Sequence, residues 1–366
     1  MAFEGRLRGA DADFVRRALA DHDPLPGSAG FAGAVDGQLV RDTLGREPLF
    51  VDERAEDWAF SPDPLDSPEL LPAGSVVRDD WTVEQRWSLP NPEPTANHNE
   101  AVQAVREAVL TSVEAPEPEG LAVAFSGGVD SAVVAAGVPD APCYVAGFEG
   151  CHDVAAAREA ADLMGRELRV VSFDHDDIVR AVPEIVRATG RSNPMDVQIA
   201  LPLYVVAEQA AADGFDRLAV GQGADELFGG YRKVVNPAED HRVEADTVRG
   251  ATREVIATLP QQLPRDVLTL RAAGVEPVAP LLHDRVVDAA LRLPPELLAT
   301  GSGRKIGLRR AVNGVVPDDV REAEKKAVQY GTYAARELDR LARQAGFKKR
   351  MEDHVGQYID ELVAES

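Results

Sequence analysis

The rhythm of hydrophobic and polar positions changes near residue 120. From Leu121 onward, short apolar runs alternate with longer helical patterns: LAVAFS (121–126), a helix from Ser131, CYVAGFE (143–149), a helix Val154–Met164, and ELRVVSF (167–173). Two more helical stretches lead to RLAVGQ (217–222). Strands that alternate with helices of about ten residues or more predict a parallel sheet covered on both faces. In such sheets ligands sit at the carboxyl ends of the strands. From about residue 240 to 366 the pattern is mostly helical, without an internal repeat or a low-complexity tract.

Before residue 95 the pattern is different. Short apolar pieces such as Gln38–Val40 and Pro48–Val51 stand among Pro, Gly and Asp, which suits strands separated by turns. PNPEP (90–94) marks a boundary, Ala101–Val113 has helical spacing, and EAPEPEG (114–120) is a second loop. The expected fold is therefore α/β, with a parallel sheet and helices on both faces over 96–366, preceded by a small β-rich segment over 1–95.

Composition narrows the function classes. At 366 residues, with 45% apolar and 28% charged residues, the chain is long enough for two globular domains. Asp and Glu number 62 against 39 Lys and Arg, leaving a net charge of −23 that repels both nucleic-acid phosphates and anionic lipid. Neither nucleic acid nor membrane is expected as a partner. The lysines are only Lys233, Lys305, Lys325, Lys326, Lys348 and Lys349, so arginine carries nearly all the positive charge. This balance reads as a salt-adapted, halophilic cytoplasmic protein, because ionic strength screens such self-repulsion. Cys143 and Cys151 have neither C-x-x-C nor metal-ligand spacing, which fits reduced thiols. Met1–Ala10 has no apolar signal core and the longest apolar run, Ile199–Ala207, is too short to span a bilayer, so a soluble, unexported protein is expected. His98, His152, His175, His241, His283 and His354 are scattered without ligand spacing and read as structural or solvated.

The sharpest chemical feature is Ser126-Gly127-Gly128-Val129-Asp130-Ser131, which follows a strand and opens a helix. Its glycines allow close backbone approach to an anion, and its hydroxyls and free N–H groups supply donors at the positive end of a helix dipole. It lacks the Lys and the spacing of G-x-x-x-x-G-K-[ST]. Asp130 would repel a bare phosphate but suits Mg²⁺ bridging to phosphate oxygens. At the end of a later strand stands Gly221-Gln222-Gly223-Ala224-Asp225-Glu226-Leu227-Phe228-Gly229-Gly230-Tyr231, where Asp225 is a candidate second magnesium ligand. Phe228 and Tyr231 read as packing around the glycine-rich turn.

Together, S-G-G-V-D-S and G-Q-G-A-D-E-L-F-G-G-Y resemble the synthetase domain of asparagine synthetases, pyrophosphatase-loop enzymes that use ATP to activate a carboxylate as an acyl-adenylate. The likeness extends through Asp153 and its Ala-rich helix, NPMDVQIALPLY (193–204), EPVAPLLHD (276–284), RKIGLRRAV (304–312) and EKKAVQYGT (324–332), in the family's order. It implies that Ser126, Gly127, Gly128, Asp130 and Ser131 hold pyrophosphate and Mg²⁺, with Asp225 as second metal ligand. It further implies that main-chain groups near Ala124, Ala146, Val220 and Gly221 receive adenosine. Lys305 matches a family lysine that steadies phosphate charge during adenylation, against the alternative of a solvated surface lysine; Lys325 and Lys326 are weaker candidates for the same field. Gln222 stands where many members have Glu. It cannot accept a proton, which leaves Glu226, Glu276 or water to take one from an attacking amine.

RDTLGREPLF (41–50), AFS (59–61) and LPAGSVV (71–77) with Trp87 resemble the second half of the family's glutaminase domain. Ala2 stands where the family's nucleophilic cysteine would be, so glutamine hydrolysis within this chain is not expected. The segment is expected to be a relic, a homodimerisation surface, or a dock for a separate ammonia supplier. The resemblance implies an ATP- and Mg²⁺-dependent ligase that releases pyrophosphate, with aspartate and ammonia as the leading substrates. The competing readings are amidation or cyclisation of another carboxylate, and a non-catalytic nucleotide-binding regulator.

Salt adaptation has a direct consequence for folding. The chain is expected to lose structure in dilute buffer and regain it across a KCl series followed by circular dichroism; full stability without salt would overturn this expectation.

Overall fold

Residues 6–323, 328–350 and 352–366 are described by the computed structural model of the protein. The chain divides into two compact units that interleave along the sequence. One contains Met1–Pro116, Gly221–Pro264 and Ala279–Val315; the other contains Glu117–Val220, Arg265–Val278 and Val316–Ser366.

In the first unit, the inner short strands are buried on both faces. A five-stranded antiparallel sheet has the spatial order Leu7–Arg8, Ala32–Val35, Gln38–Arg41, Ser75–Val77, Val83–Gln85. A three-stranded sheet has the order Asp57–Ala59, Phe50–Asp52, Glu69–Leu70. Because side chains alternate along a strand, Ala32, Ala34, Leu39 and Val77 form one core with Leu49, Val51, Trp58 and Leu71. The alternate positions Val35, Val40 and Val76 join Val15, Ala18, Phe31 and Trp87 in a second core. The β-rich character expected of this segment is present. It also contains a helix not anticipated from the sequence, Ala12–Asp21, whose Val15 and Ala18 form its buried stripe. Asp11 starts the helix by accepting the Phe14 N–H at 2.7 Å.

Within the first unit, buried guanidinium groups tie the early strands to later chain. Arg41, fully buried, donates to the carbonyls of Glu47 (3.0 Å), Leu71 (2.5 Å), Gly45 (2.7 Å) and Pro260 (3.2 Å). Arg46 donates to the Leu282 carbonyl at 2.8 Å and pairs with Asp284 at 2.7 Å. Arg253 donates to the carbonyls of Leu89 and Pro90.

The second unit contains the parallel sheet. Its strands are β1 (Leu121–Ala124), β2 (Cys143–Gly147), β3 (Leu168–Ser172), β4 (Arg217–Ala219) and β5 (Glu276–Val278), in the spatial order β3-β2-β1-β4-β5. Every neighbouring pair is parallel. Flanking helices include Val129–Gly137, His152–Met164, His175–Thr189 and Pro194–Ala212. The helices begin at Val129 and His152, two residues earlier than their hydrophobic spacing suggests. The inner strands are apolar and buried throughout most of their length, as expected for a sheet covered by helices. Edge strands β3 and β5 are more exposed and carry Arg169 and Glu276. Strand β5 lies inside the stretch read as helical; three residues with a central proline give almost no strand signal. Among the described residues no helix is long and apolar enough to cross a membrane.

His283, in the first unit, contributes to loss of stability in acid. His283 caps helix Asp284–Leu291, its Nδ1 accepting the Arg285 N–H at 3.3 Å. Burial, and then the nearby positive charge of Arg285 and Arg46, lowers its pKa to about 4. The unfolded chain binds this proton near pH 6.5 while the folded chain resists until about pH 4, so stability falls as pH drops through that window. His283→Asn keeps a capping side chain and is expected to lose less Tm than the wild type over the same window; identical pH slopes in thermal melts would refute the assignment.

Candidate active site

The strand order reverses between β1 and β4, and both glycine-rich motifs leave the sheet at the carboxyl ends of these strands. This is the switch point at which open parallel sheets bind ligands. After Ala124, the Phe125 N–H donates to the Tyr144 carbonyl at 2.7 Å, and the chain turns through Ser126, Gly127 and Gly128. Gly127 has φ +75°, and a Cβ there would lie 2.6 Å from the Ala156 carbonyl oxygen, so the turn requires glycine. Gly128 starts helix Val129–Gly137 without any side-chain cap. The hydroxyl of Ser131 donates to the Gly128 carbonyl at 3.1 Å and accepts the Ser126 N–H at 3.1 Å. Buried Ser131 therefore tightens the turn, while Ser126, Asp130 and the first-turn N–H groups form its more open side. Arg166 fixes the other end of this helix region by donating to the carbonyls of Ala135, Val138 and Ala141. Ala146 lies buried in β2, and the Val220 N–H is engaged with the Val278 carbonyl at 2.9 Å.

The loop after β4 belongs to the first unit from Gly221 onward. Gly223, at φ +89°, starts the short helix Ala224–Leu227, and a Cβ there would lie 2.4 Å from Leu282 Cδ2. The Asp225 carboxylate pairs with Lys305 Nζ at 2.7 Å. The Asp225 side chain is 47% exposed and that of Lys305 10%, so the acid opens to solvent while the ammonium is sheltered. Lys305 has the left-handed backbone φ of +56° and starts helix Ile306–Ala311. Gly230 makes the pair sterically feasible: a Cβ on it would fall 1.9 Å from Asp225 Oδ1 and 2.5 Å from Lys305 Cε. Its N–H donates to the Asp225 carbonyl at 2.7 Å, and its own carbonyl accepts from Arg304 at 2.7 Å. Buried Glu226 accepts the Tyr231 hydroxyl at 2.6 Å; burial raises its pKa and the tyrosine bond opposes the rise. Gln222 is half-buried.

The structure thus gathers Ser126, Gly127, Gly128, Asp130 and Ser131 in one turn, and Asp225, Glu226 and Lys305 around another. Glu276 is apart from both turns in chain position and register. It pairs with Arg217 at the amino end of the parallel strands, and its carboxylate meets Arg271 at 2.9 Å. Lys325 and Lys326 lie outside the described residues. Sequence reading overlooked three local supports: Arg304, the spatial need for Gly230, and the hydrogen bond from Tyr231 to Glu226. The doubled glycine before Tyr231 and the arginine adjoining Lys305 were the available signals.

The chain is thus an α/β protein in which one glycine turn, in the second unit, leads into an uncapped helix with an acidic first turn, and another, in the first unit, holds a lysine. The family model for asparagine synthase matches residues 101–268 and 238–364, and the chain belongs to that family. It is similar to a putative glutamine-hydrolysing asparagine synthetase of Methanocaldococcus jannaschii, 27% identical over 296 residues, covering 71% of this chain and 53% of the relative. It is also similar to asparagine synthetase B of Escherichia coli, with 24% identity over 354 residues and coverage of 84% and 62%. The Asparagus officinalis asparagine synthetase is 25% identical over 330 residues, with coverage of 79% and 54%. The chain thus spans between half and two thirds of the length of these relatives.

The steric account of Gly230 predicts a sharp contrast between two glycines. Gly230→Ala forces Asp225 and Lys305 apart and is expected to cost about 1–3 kcal/mol, the usual penalty of overpacking. At Gly301 an added Cβ meets nothing within 4 Å, so Gly301→Ala is expected to remain within about 0.5 kcal/mol of the wild type. Equal urea midpoints for the two variants would contradict this account.

Proposed function

We propose that the protein is an ATP- and Mg²⁺-dependent ligase that activates a carboxylate, releases pyrophosphate and forms an amide, with aspartate and ammonia as substrates. The supporting observation is that the two family motifs begin at the two strand ends flanking the switch point. The family match and the asparagine synthetase names of the relatives support the same reading. Ammonia arrives free or from a separate supplier.

The donor sets fit the proposed ligands. An uncapped helix start behind a glycine turn suits phosphate oxygens, and carboxylates suit a hard cation. Ser126, Gly127, Gly128 and the first-turn N–H groups would receive pyrophosphate oxygens, while Ser131 keeps the turn closed. Main-chain groups at Ala124, Ala146, Val220 and Gly221 would receive adenosine. Asp130 and Asp225 would be the magnesium ligands. Magnesium, when bound, neutralises phosphate charge. Lys305 would bring a sheltered ammonium to the same charge, a preorganised interaction typically worth about 3–4 kcal/mol.

Gln222 hydrogen-bonds the incoming amine or the carboxylate without taking its proton. Of the two carboxylates considered as acceptor, Glu226 is favoured: it lies in the same loop, and its raised pKa makes it the better base. Glu276 is disfavoured by its position at the amino end of the sheet. Gln222 itself supports a second reading, ring closure or amidation of a different carboxylate.

Pyrophosphate release in high KCl with MgATP and aspartate, comparing ammonium chloride with glutamine, tests the proposal. Asparagine formed with ammonium supports it; turnover only with another acid favours the second reading. ATP binding without turnover on any acid would indicate a regulator and overturn the ligase assignment. Asp130→Ala is expected to abolish pyrophosphate release, Lys305→Ala to slow it by about 10²–10³, and Ser61→Ala to leave it unchanged. An active Asp130→Ala protein would overturn the metal assignment.

A further inference from the structure

The β-rich amino-terminal segment shares with helix Asp284–Leu291 a buried ion cluster that belongs to neither glycine-rich loop. Arg46 Nε meets Asp42 Oδ1 at 2.9 Å, and Arg46 Nη1 meets Asp284 Oδ1 at 2.7 Å and the Leu282 carbonyl at 2.8 Å. All three charged side chains are at most 4% exposed. The other oxygen of Asp284 accepts the N–H groups of Gly27 (2.9 Å) and Ser28 (2.7 Å) and the Ser28 hydroxyl (3.2 Å). Asp42 Oδ2 accepts the N–H groups of Phe31 (3.3 Å) and Arg46 (3.1 Å). Residues 27–46 therefore grip Leu282 and Asp284 from several directions.

Leu282 packs on Gly223, one of the four positions of the second loop that have no side chain. The place where a Gly223 Cβ would go is 2.4 Å from Leu282 Cδ2 and 2.8 Å from its Cγ. Gly223 starts the short helix that presents Asp225, and Asp225 holds Lys305. A movement of Leu282 must therefore pass to the start of that helix, since close-packed atoms leave no slack. We propose that Arg46, with Asp42 and Asp284, is a positioning residue for the Asp225–Lys305 pair, which makes the amino-terminal segment a working part of the synthetase site.

The proposal rests on the ligase reading for its functional meaning, but its geometry can be tested without nucleotide. With only six lysines in the chain, competitive acetylation read by mass spectrometry can follow Lys305 against exposed Lys348 and Lys349. Arg46→Gln is expected to raise the relative acetylation of Lys305 several-fold. Leu282→Ala, which leaves the ion cluster intact but removes the packing on Gly223, is expected to do the same. Val40→Ala, in the buried core of the same segment, is expected to lower Tm while leaving Lys305 protected. Unchanged acetylation in both Arg46→Gln and Leu282→Ala would overturn the proposal, as would an equal rise in Val40→Ala at matched loss of stability. In the turnover assay, Arg46→Gln is expected to lower kcat with little change in KM for ATP. Absence of turnover in the wild type would count against the ligase reading alone, leaving the labelling result to decide the positioning role.

Discussion

Buried guanidinium groups hold the first unit together. A cation removed from water is costly unless charge-assisted hydrogen bonds replace its hydration. Arg41 meets that requirement with four carbonyls, and Arg46 meets it in part, with two carboxylates and carbonyls on Nε and Nη1 while its buried Nη2 has no partner among the described residues. Each has partners far away in sequence, so loss of the guanidinium strands polar groups from distant segments at once. Breaking a buried pair in this way typically costs about 3–5 kcal/mol. Lysine could not substitute, because a single ammonium cannot present five donors in a planar fork. The shortage of lysine in this chain therefore has a structural counterpart in its interior as well as an effect on surface charge.

The same economy of positive charge shapes the candidate site. A chain with net charge −23 repels an anionic ligand at long range, and salt reduces that repulsion over about 10 Å. What remains at short range are hydrogen-bond donors: main-chain N–H groups at the uncapped helix start of the second unit and, in the first unit, the sheltered ammonium of Lys305. Asp225 stabilises that ammonium and keeps it in one place, while Gly230 leaves the space that the pair needs.

Much of the parallel sheet could be read directly from the sequence, since inner strands buried on both faces must be continuously apolar. The SGGVDS turn was equally legible: a strand, two glycines and a helix start are all local signals. What escaped were features decided by distant chain. Strand β5 exists because Glu276–Val278 finds the open edge of β4, not because EPV favours a strand. The interleaved units follow from contacts such as Arg46 with Asp284, which no local window contains. Tyr231 reads as packing around the glycine-rich turn, and the folded loop also brings its hydroxyl to Glu226. Glu276 entered the candidate site through motif likeness alone, and the register of β4 and β5 puts it at the other end of the strands.

The open sheet edges bear on how copies of the protein behave when crowded. Leu7–Arg8 and Val83–Gln85 border the antiparallel sheet, and β3 and β5 border the parallel one. Each carries a charged side chain: Arg8, Glu84, Arg169 and Glu276. In concentrated salt the overall negative charge no longer keeps molecules apart. An edge charge still acts there, because a second strand could pair with that edge only by stripping water from it, a penalty that salt does not screen away. Two of these edge charges do double duty, Arg169 holding Asp213 and the Tyr144 hydroxyl and Glu276 holding Arg271, so an apolar residue at either would bare a sticky edge and loosen the unit behind it at once.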